Sequence, residues 1–102
     1  VDHTHPDAIL ALTNQKGGER LVREALGDGI VIVPYVPPGF KLAKAVADAR
    51  ENNPNARALV LMQHGLVTWG NTARDSYTAT IELASRAEGY LEQHARNPLI
   101  CA

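Results

Sequence analysis

Apolar positions along the chain recur with two different periods, and the switches between them mark the elements. His5-Pro6-Asp7 reads as a helix start, because proline is favoured in a first turn where its missing N–H would be unpaired anyway. Ile9, Leu10, Leu12 and Thr13 follow on a short helical segment that Asn14 to Gly18 breaks. Glu19 to Leu26 carries Leu21, Val22, Ala25 and Leu26 at helical spacing and predicts a second helix, ended by Gly27-Asp28-Gly29. Ile30 to Val33 is a β-branched run between glycine and proline, hence a strand, and its lack of alternation predicts cover on both faces. The rigid connector Pro34 to Gly39 leads into a third helix from about Phe40 to Arg50, with Leu42, Val46 and Ala49 on one face. Asn52-Asn53-Pro54-Asn55 stops it.

Ala58 to Met62 predicts a second buried strand, Gln63-His64-Gly65 a turn, and Leu66 to Gly70 a third strand. Thr72 then opens the longest helix, to about His94, and Thr72 and Asp75 have the spacing of a capping box with aspartate in the glutamate position. Tyr77, Ile81, Ala84 and Leu91 form its predicted inward stripe, widened by Leu83, Ala87 and Tyr90. Beyond Asn97-Pro98 the pattern predicts a loose tail. Strands mixed with helices, and no repeat or long linker, predict an α/β layered fold with helices packed on a sheet of three short strands.

Composition narrows the partners. The 102 residues suffice for one domain or part of one, and a hydrophobic content of 45% is ordinary for a globular protein. A net charge of −1 provides no basic field for nucleic acid. The apolar runs fall far short of the roughly 20 residues that span a bilayer, and no signal peptide is visible. Cys101 is the one cysteine, so no internal disulfide forms. A reducing, cytoplasmic setting is expected, with Cys101 as a free thiol near the end of the chain. The opening cluster Asp2-His3-Thr4-His5, with no initiator methionine, reads as the start of a piece of a longer polypeptide.

The candidate chemistry lies in the histidines. In an extended segment His3 and His5 project from the same side, with Thr4 on the other, so two imidazoles could share one ion. His64 follows a buried strand and precedes Gly65, where a rigid scaffold can hold and present a ligand. Each signal alone stays ambiguous: His-x-His pairs occur by chance on surfaces, and Gln63-His64-Gly65 could be only a tight hairpin with the ring bonded to a carbonyl. His94 reads as a solvated residue near a helix C-terminus, where the dipole favours it.

Three stretches carry a resemblance: Asp2 to Ala8, Val33 to Phe40, and Gln63-His64-Gly65 through Thr68 to Tyr77. In order and spacing they resemble the class II aldolase/adducin family, most closely the aldolase part of bifunctional proteins that fuse a rhamnulose-phosphate-type aldolase to a C-terminal short-chain dehydrogenase. The resemblance implies a class II aldolase-like fold, with residues 1–102 as the C-terminal portion of the domain. It also implies that His3, His5 and His64 bind a divalent ion, usually zinc. The implied reaction is reversible cleavage of a ketose phosphate, in which the metal stabilises the enediolate left when the C–C bond breaks. Three protein ligands leave coordination space for substrate, as catalytic sites do. Family members assemble as homo-oligomers, commonly tetramers.

The same resemblance places a glutamate acid/base and glycine- and serine-containing phosphate loops before the first histidine motif, outside these residues. Glu19 and Glu24, on a solvated helix, do not replace that base. Nor does Glu88, read as a buried helix-packing carboxylate with a partner. Turnover by these residues alone is therefore not expected, and the catalytic acid/base is unassigned. Trp69 and Tyr77 read as core or interface aromatics, and Arg74 and Asp75 as serving the helix start. Gly17-Gly18 and Gly27-Asp28-Gly29 are turns that do not match a dinucleotide fingerprint, so no dehydrogenase site is encoded here. Two rival readings remain: a sugar-phosphate epimerase or dehydratase on the same scaffold, and a non-enzymatic interaction module like the adducin branch. That branch lacks the metal-binding histidines, so their presence here argues against it.

Overall fold

The structure is a computed structural model that describes residues 1–95. The expected loose tail and Cys101 lie outside the described residues. The elements run β1 (Asp2–Thr4), α1 (Asp7–Thr13), α2 (Gly18–Leu26), β2 (Ile30–Val33), α3 (Phe40–Asn52), β3 (Ala58–Leu61), β4 (Gly65–Thr68) and α4 (Ala73–Ala95). They form one four-stranded sheet in the order β1-β4-β3-β2. β2 and β3 are parallel, joined by the crossover helix α3, while β3–β4 is an antiparallel hairpin and β1 pairs antiparallel with β4.

The predicted α/β layering holds, and its cause is visible in the strands. Alternate residues of a strand face opposite ways, so Ile30, Ala58, Val60 and Leu66 enter a core beneath α1, α2 and α4. Val33, Leu59, Leu61 and Val67 enter a second core beneath α3, met there by Leu42, Val46 and Ala49. β2 therefore lacks alternation because both of its faces are covered, as its sequence predicts.

Five expectations need correction. The sheet has a fourth strand, β1, in which Asp2 opposes Thr68, His3 opposes Val67 and Thr4 opposes Leu66. Its three polar residues carry no apolar alternation; pairing with β4 makes the strand. Gly65 belongs to β4 rather than to the turn. The inward face of α4 is also rotated from the expected stripe. Tyr77 and Ile81 are exposed, whereas Ser76, Thr80, Leu83 and Ala87 are buried. The Thr68 hydroxyl donates to the Ser76 carbonyl at 3.0 Å and meets the Thr80 hydroxyl at 2.7 Å, while the Ser76 hydroxyl donates to the Thr68 carbonyl at 3.3 Å. Small hydroxyl residues thus seat α4 on β4, because buried polar groups must be paired, and Tyr77 and Ile81 turn outward while Leu83 and Ala87 face inward as expected. The same rotation exposes Glu88, which is not a buried packing carboxylate. It also half-buries His94, whose ring stacks on Tyr90 at 3.8 Å instead of standing in solvent.

The helix starts follow their expected chemistry within a residue. Pro6 is the N-cap of α1 rather than its first residue. The Thr72 hydroxyl accepts from the Asp75 N–H at 3.1 Å, which is half of a capping box. Among the described residues no helix is long and apolar enough to cross a membrane.

The rotated face of α4 makes two substitutions diverge. Leu83→Ala is expected to lower the unfolding free energy by about 2–5 kcal/mol, and Ile81→Ala by no more than about 0.5–1 kcal/mol. Urea denaturation of the two variants measures both, and equal losses would return Ile81 to the core.

Candidate metal centre

β1 and the β3–β4 hairpin bring the histidines together. His3 opposes Val67 and so faces the α3 side of the sheet. His5 lies just past the end of β1, where Pro6 turns the chain into α1. His64 is the last residue of the connection between Leu61 and Gly65, and its N–H closes the turn on the Leu61 carbonyl at 3.0 Å. The His64 Nε2 lies 3.1 Å from the Nε2 of His3 and 3.4 Å from that of His5. All three ligand atoms fall within 4.8 Å of one another. The His3 and His64 rings are nearly parallel at 12°, with His5 edge-on to both. Sequence reasoning named these three residues, and the structure unites them.

The arrangement fits a cation. Nitrogen donors about 2.0–2.1 Å from a tetrahedral zinc stand roughly 3.3 Å apart, close to the spacings here. Lone pairs aimed at one point repel unless a proton or a cation lies among them. The His3 Nδ1–H donates to the Leu66 carbonyl at 3.0 Å, which turns the Nε2 of that ring into the free donor. Burial, reinforced by the neighbouring His3 and His5, holds the His64 imidazole below its ordinary pKa and so favours the neutral form that binds metal.

Two backbone features shape the site. A Cβ on Gly65 would meet the Thr4 carbonyl oxygen at 2.3 Å and the His5 ring at 2.9 Å, so only glycine lets β1 lie this close. Gln63 has a φ of 61°, in the left-handed region that costs a non-glycine residue about 1–2 kcal/mol. The Leu66 carbonyl and the Gln63 backbone were not found from sequence, since neither role depends on side-chain identity; the glycine beside His64 was the only hint.

An apolar cleft of about 450 Å³ opens beside the centre, with His3 and His64 at one end and Leu42, Val46, Leu61 and Val67 along it. Among the described residues that line it there is no lysine or arginine. The carboxylates considered above lie elsewhere. Glu19 and Glu24 are exposed on α2, beneath the other face of the sheet, and Glu24 accepts hydrogen bonds from Tyr90 and Arg20. Glu88 is exposed on α4. Trp69 packs on the α3-side core with the Arg50 guanidinium 4.9 Å above its ring. Tyr77 points outward.

Residues 1–91 match the family described as Class II Aldolase and Adducin N-terminal domain. Over 91 residues the chain is 44% identical to the uncharacterized oxidoreductase YuxG of Bacillus subtilis, covering 89% of this chain and 13% of that protein. Among solved structures it resembles the N-terminal class II aldolase domain of a conserved protein from Thermoplasma acidophilum. That match has a TM-score of 0.76 and 39% identity, and covers 87% of this chain and 40% of the other. The chain thus spans well under half the length of either.

Because Gly65 does not use a positive φ, replacing it with alanine tests the close approach alone. Gly65→Ala is expected to push β1 off β4, lower the melting temperature and weaken zinc binding by at least about tenfold. Thermal melts and a zinc competition titration provide the readouts; unchanged zinc affinity would show that the approach of β1 does not govern the site.

Proposed function

Because this chain belongs to the class II aldolase and adducin family, we propose that His3, His5 and His64 together hold one divalent cation, zinc in the first instance, at the catalytic centre of a lyase that cleaves a ketose phosphate. The observation that carries this reading is the meeting of three Nε2 atoms from residues about sixty positions apart. An all-imidazole donor set suits zinc better than magnesium or calcium, which prefer oxygen. When bound, the cation supplies Lewis-acid stabilisation of the negative charge that develops as the C–C bond breaks.

The chain's own residues prepare that chemistry. The Leu66 carbonyl selects the tautomer of neutral His3 that presents Nε2 as the metal donor, and burial favours the neutral form of His64. In this reading the apolar cleft shelters an uncharged part of the ligand from water, and other segments of the parent protein hold the phosphate. We place residues 1–102 in the C-terminal portion of the aldolase domain, with the acid/base supplied elsewhere in the parent. The name of the Bacillus relative, an oxidoreductase of which this chain matches 13%, supports a parent that also carries a dehydrogenase domain. A cytoplasmic homo-oligomer completes the reading.

Purified protein is expected to contain about one zinc per chain, falling to near zero in His3→Ala, His5→Ala and His64→Ala variants that keep their circular dichroism. The parent protein should release aldehyde from a ketose phosphate, stop with chelator and resume on adding zinc. Absence of bound metal after zinc is supplied would instead favour the non-enzymatic adducin-like reading. Metal without aldehyde, but with an isomeric or dehydrated sugar product, would favour an epimerase or dehydratase.

A further inference from the structure

Among the described residues, five have a positive φ: Gly17, Gly27, Gly29, Gly39 and Gln63. Four are glycine, for which this conformation carries no steric penalty. Gln63 is the exception, and its exposed side chain makes no hydrogen bond or ion pair among the described residues that would offset the strain. The reason for the conformation therefore lies in what the backbone does to its neighbours.

Those neighbours are tied on both sides. The Met62 N–H donates to the Val33 carbonyl at 3.0 Å, anchoring the start of the turn to β2. Leu61 pairs with Gly65 as the last rung of the hairpin, and Gly65 is pressed under the Thr4 carbonyl with no room for a Cβ. The His64 N–H closes a four-residue turn on the Leu61 carbonyl, so Met62 and Gln63 are the central residues that reverse the chain. A rotation of Gln63 into either common backbone region would redirect the peptide that follows and carry the His64 imidazole away from His3 and His5. We infer that Gln63 is a positioning residue for the metal centre, acting through its left-handed backbone to aim His64 at the point where His3 and His5 converge. The inference rests on the three-histidine metal reading above.

Cobalt(II) tests it in the full-length protein, because its visible absorption reports ligand geometry separately from stability. The series Gln63→Gly, Gln63→Asn, Gln63→Ala and Gln63→Val runs from residues that accept a positive φ to a β-branched residue that strongly resists it. Glycine and asparagine should keep cobalt affinity within about twofold of wild type, with an unaltered spectrum. Alanine, which bears the same backbone penalty as glutamine, should also match wild type, whereas valine should weaken binding by about tenfold or more with shifted bands, as loss of a residue that orients a metal ligand does. Gly17→Ala is the control: it puts similar strain at a left-handed φ of 74° and ψ of 19°, where an added Cβ meets nothing within 4 Å. It should lower the melting temperature and leave the cobalt spectrum unchanged. If the valine variant fails to fold, Gln63→Thr, a β-branched residue with a hydroxyl, takes its place. A valine or threonine variant that binds cobalt like the glycine variant, with one spectrum, overturns the inference alone. A wild-type protein that takes up no cobalt overturns the metal centre and the inference with it.

Discussion

The pairing of β1 with β4 is the constraint on which the site depends. Three polar residues at the front of the chain would not form a strand by themselves, yet against β4 they lie in register over Leu66 to Thr68. That pairing requires Gly65, where the Thr4 carbonyl occupies the space of a side chain. It also supplies the Leu66 carbonyl that orients His3. One antiparallel contact thus brings two histidines to a third and orients the ring of one of them.

The rest of the fold holds β4 still. A sheet covered on both faces buries Leu59, Val60 and Leu66 completely, and close-packed interiors resist small displacements. On one side α4 is locked to β4 by the Thr68, Ser76 and Thr80 hydroxyls. Paired hydroxyls are directional where apolar contacts are not, so they define the rotation of the helix as well as its distance. On the other side α3 packs over Leu61 and Val67 and borders the apolar cleft beside His3 and His64. The three-histidine cluster therefore stands at a sheet end, between a rigid platform and an open apolar wall.

Membership of the class II aldolase and adducin family agrees with this architecture, and the similarity to the Thermoplasma domain extends over most of the chain. Within these residues the structure provides an assembled donor set and a cleft without cationic side chains.

The sequence by itself determined the helices, strands β2 and β3, the α/β layering, and the identity of His3, His5 and His64 as candidate ligands. Strong periodicity and a glycine beside a histidine survive in one dimension because each reflects a local rule. It placed β4 within a residue or two, and it misjudged the face of α4 because Ser76 and Thr80 look like surface residues until Thr68 is seen to pair with them. It could not show β1, the Leu66 carbonyl or the left-handed turn at Gln63. Those features arise from backbone groups meeting across more than fifty residues of sequence or from the closing of a loop between fixed strands. Side-chain identity says which groups can bind a metal; only tertiary structure decides that their nitrogens point at one place.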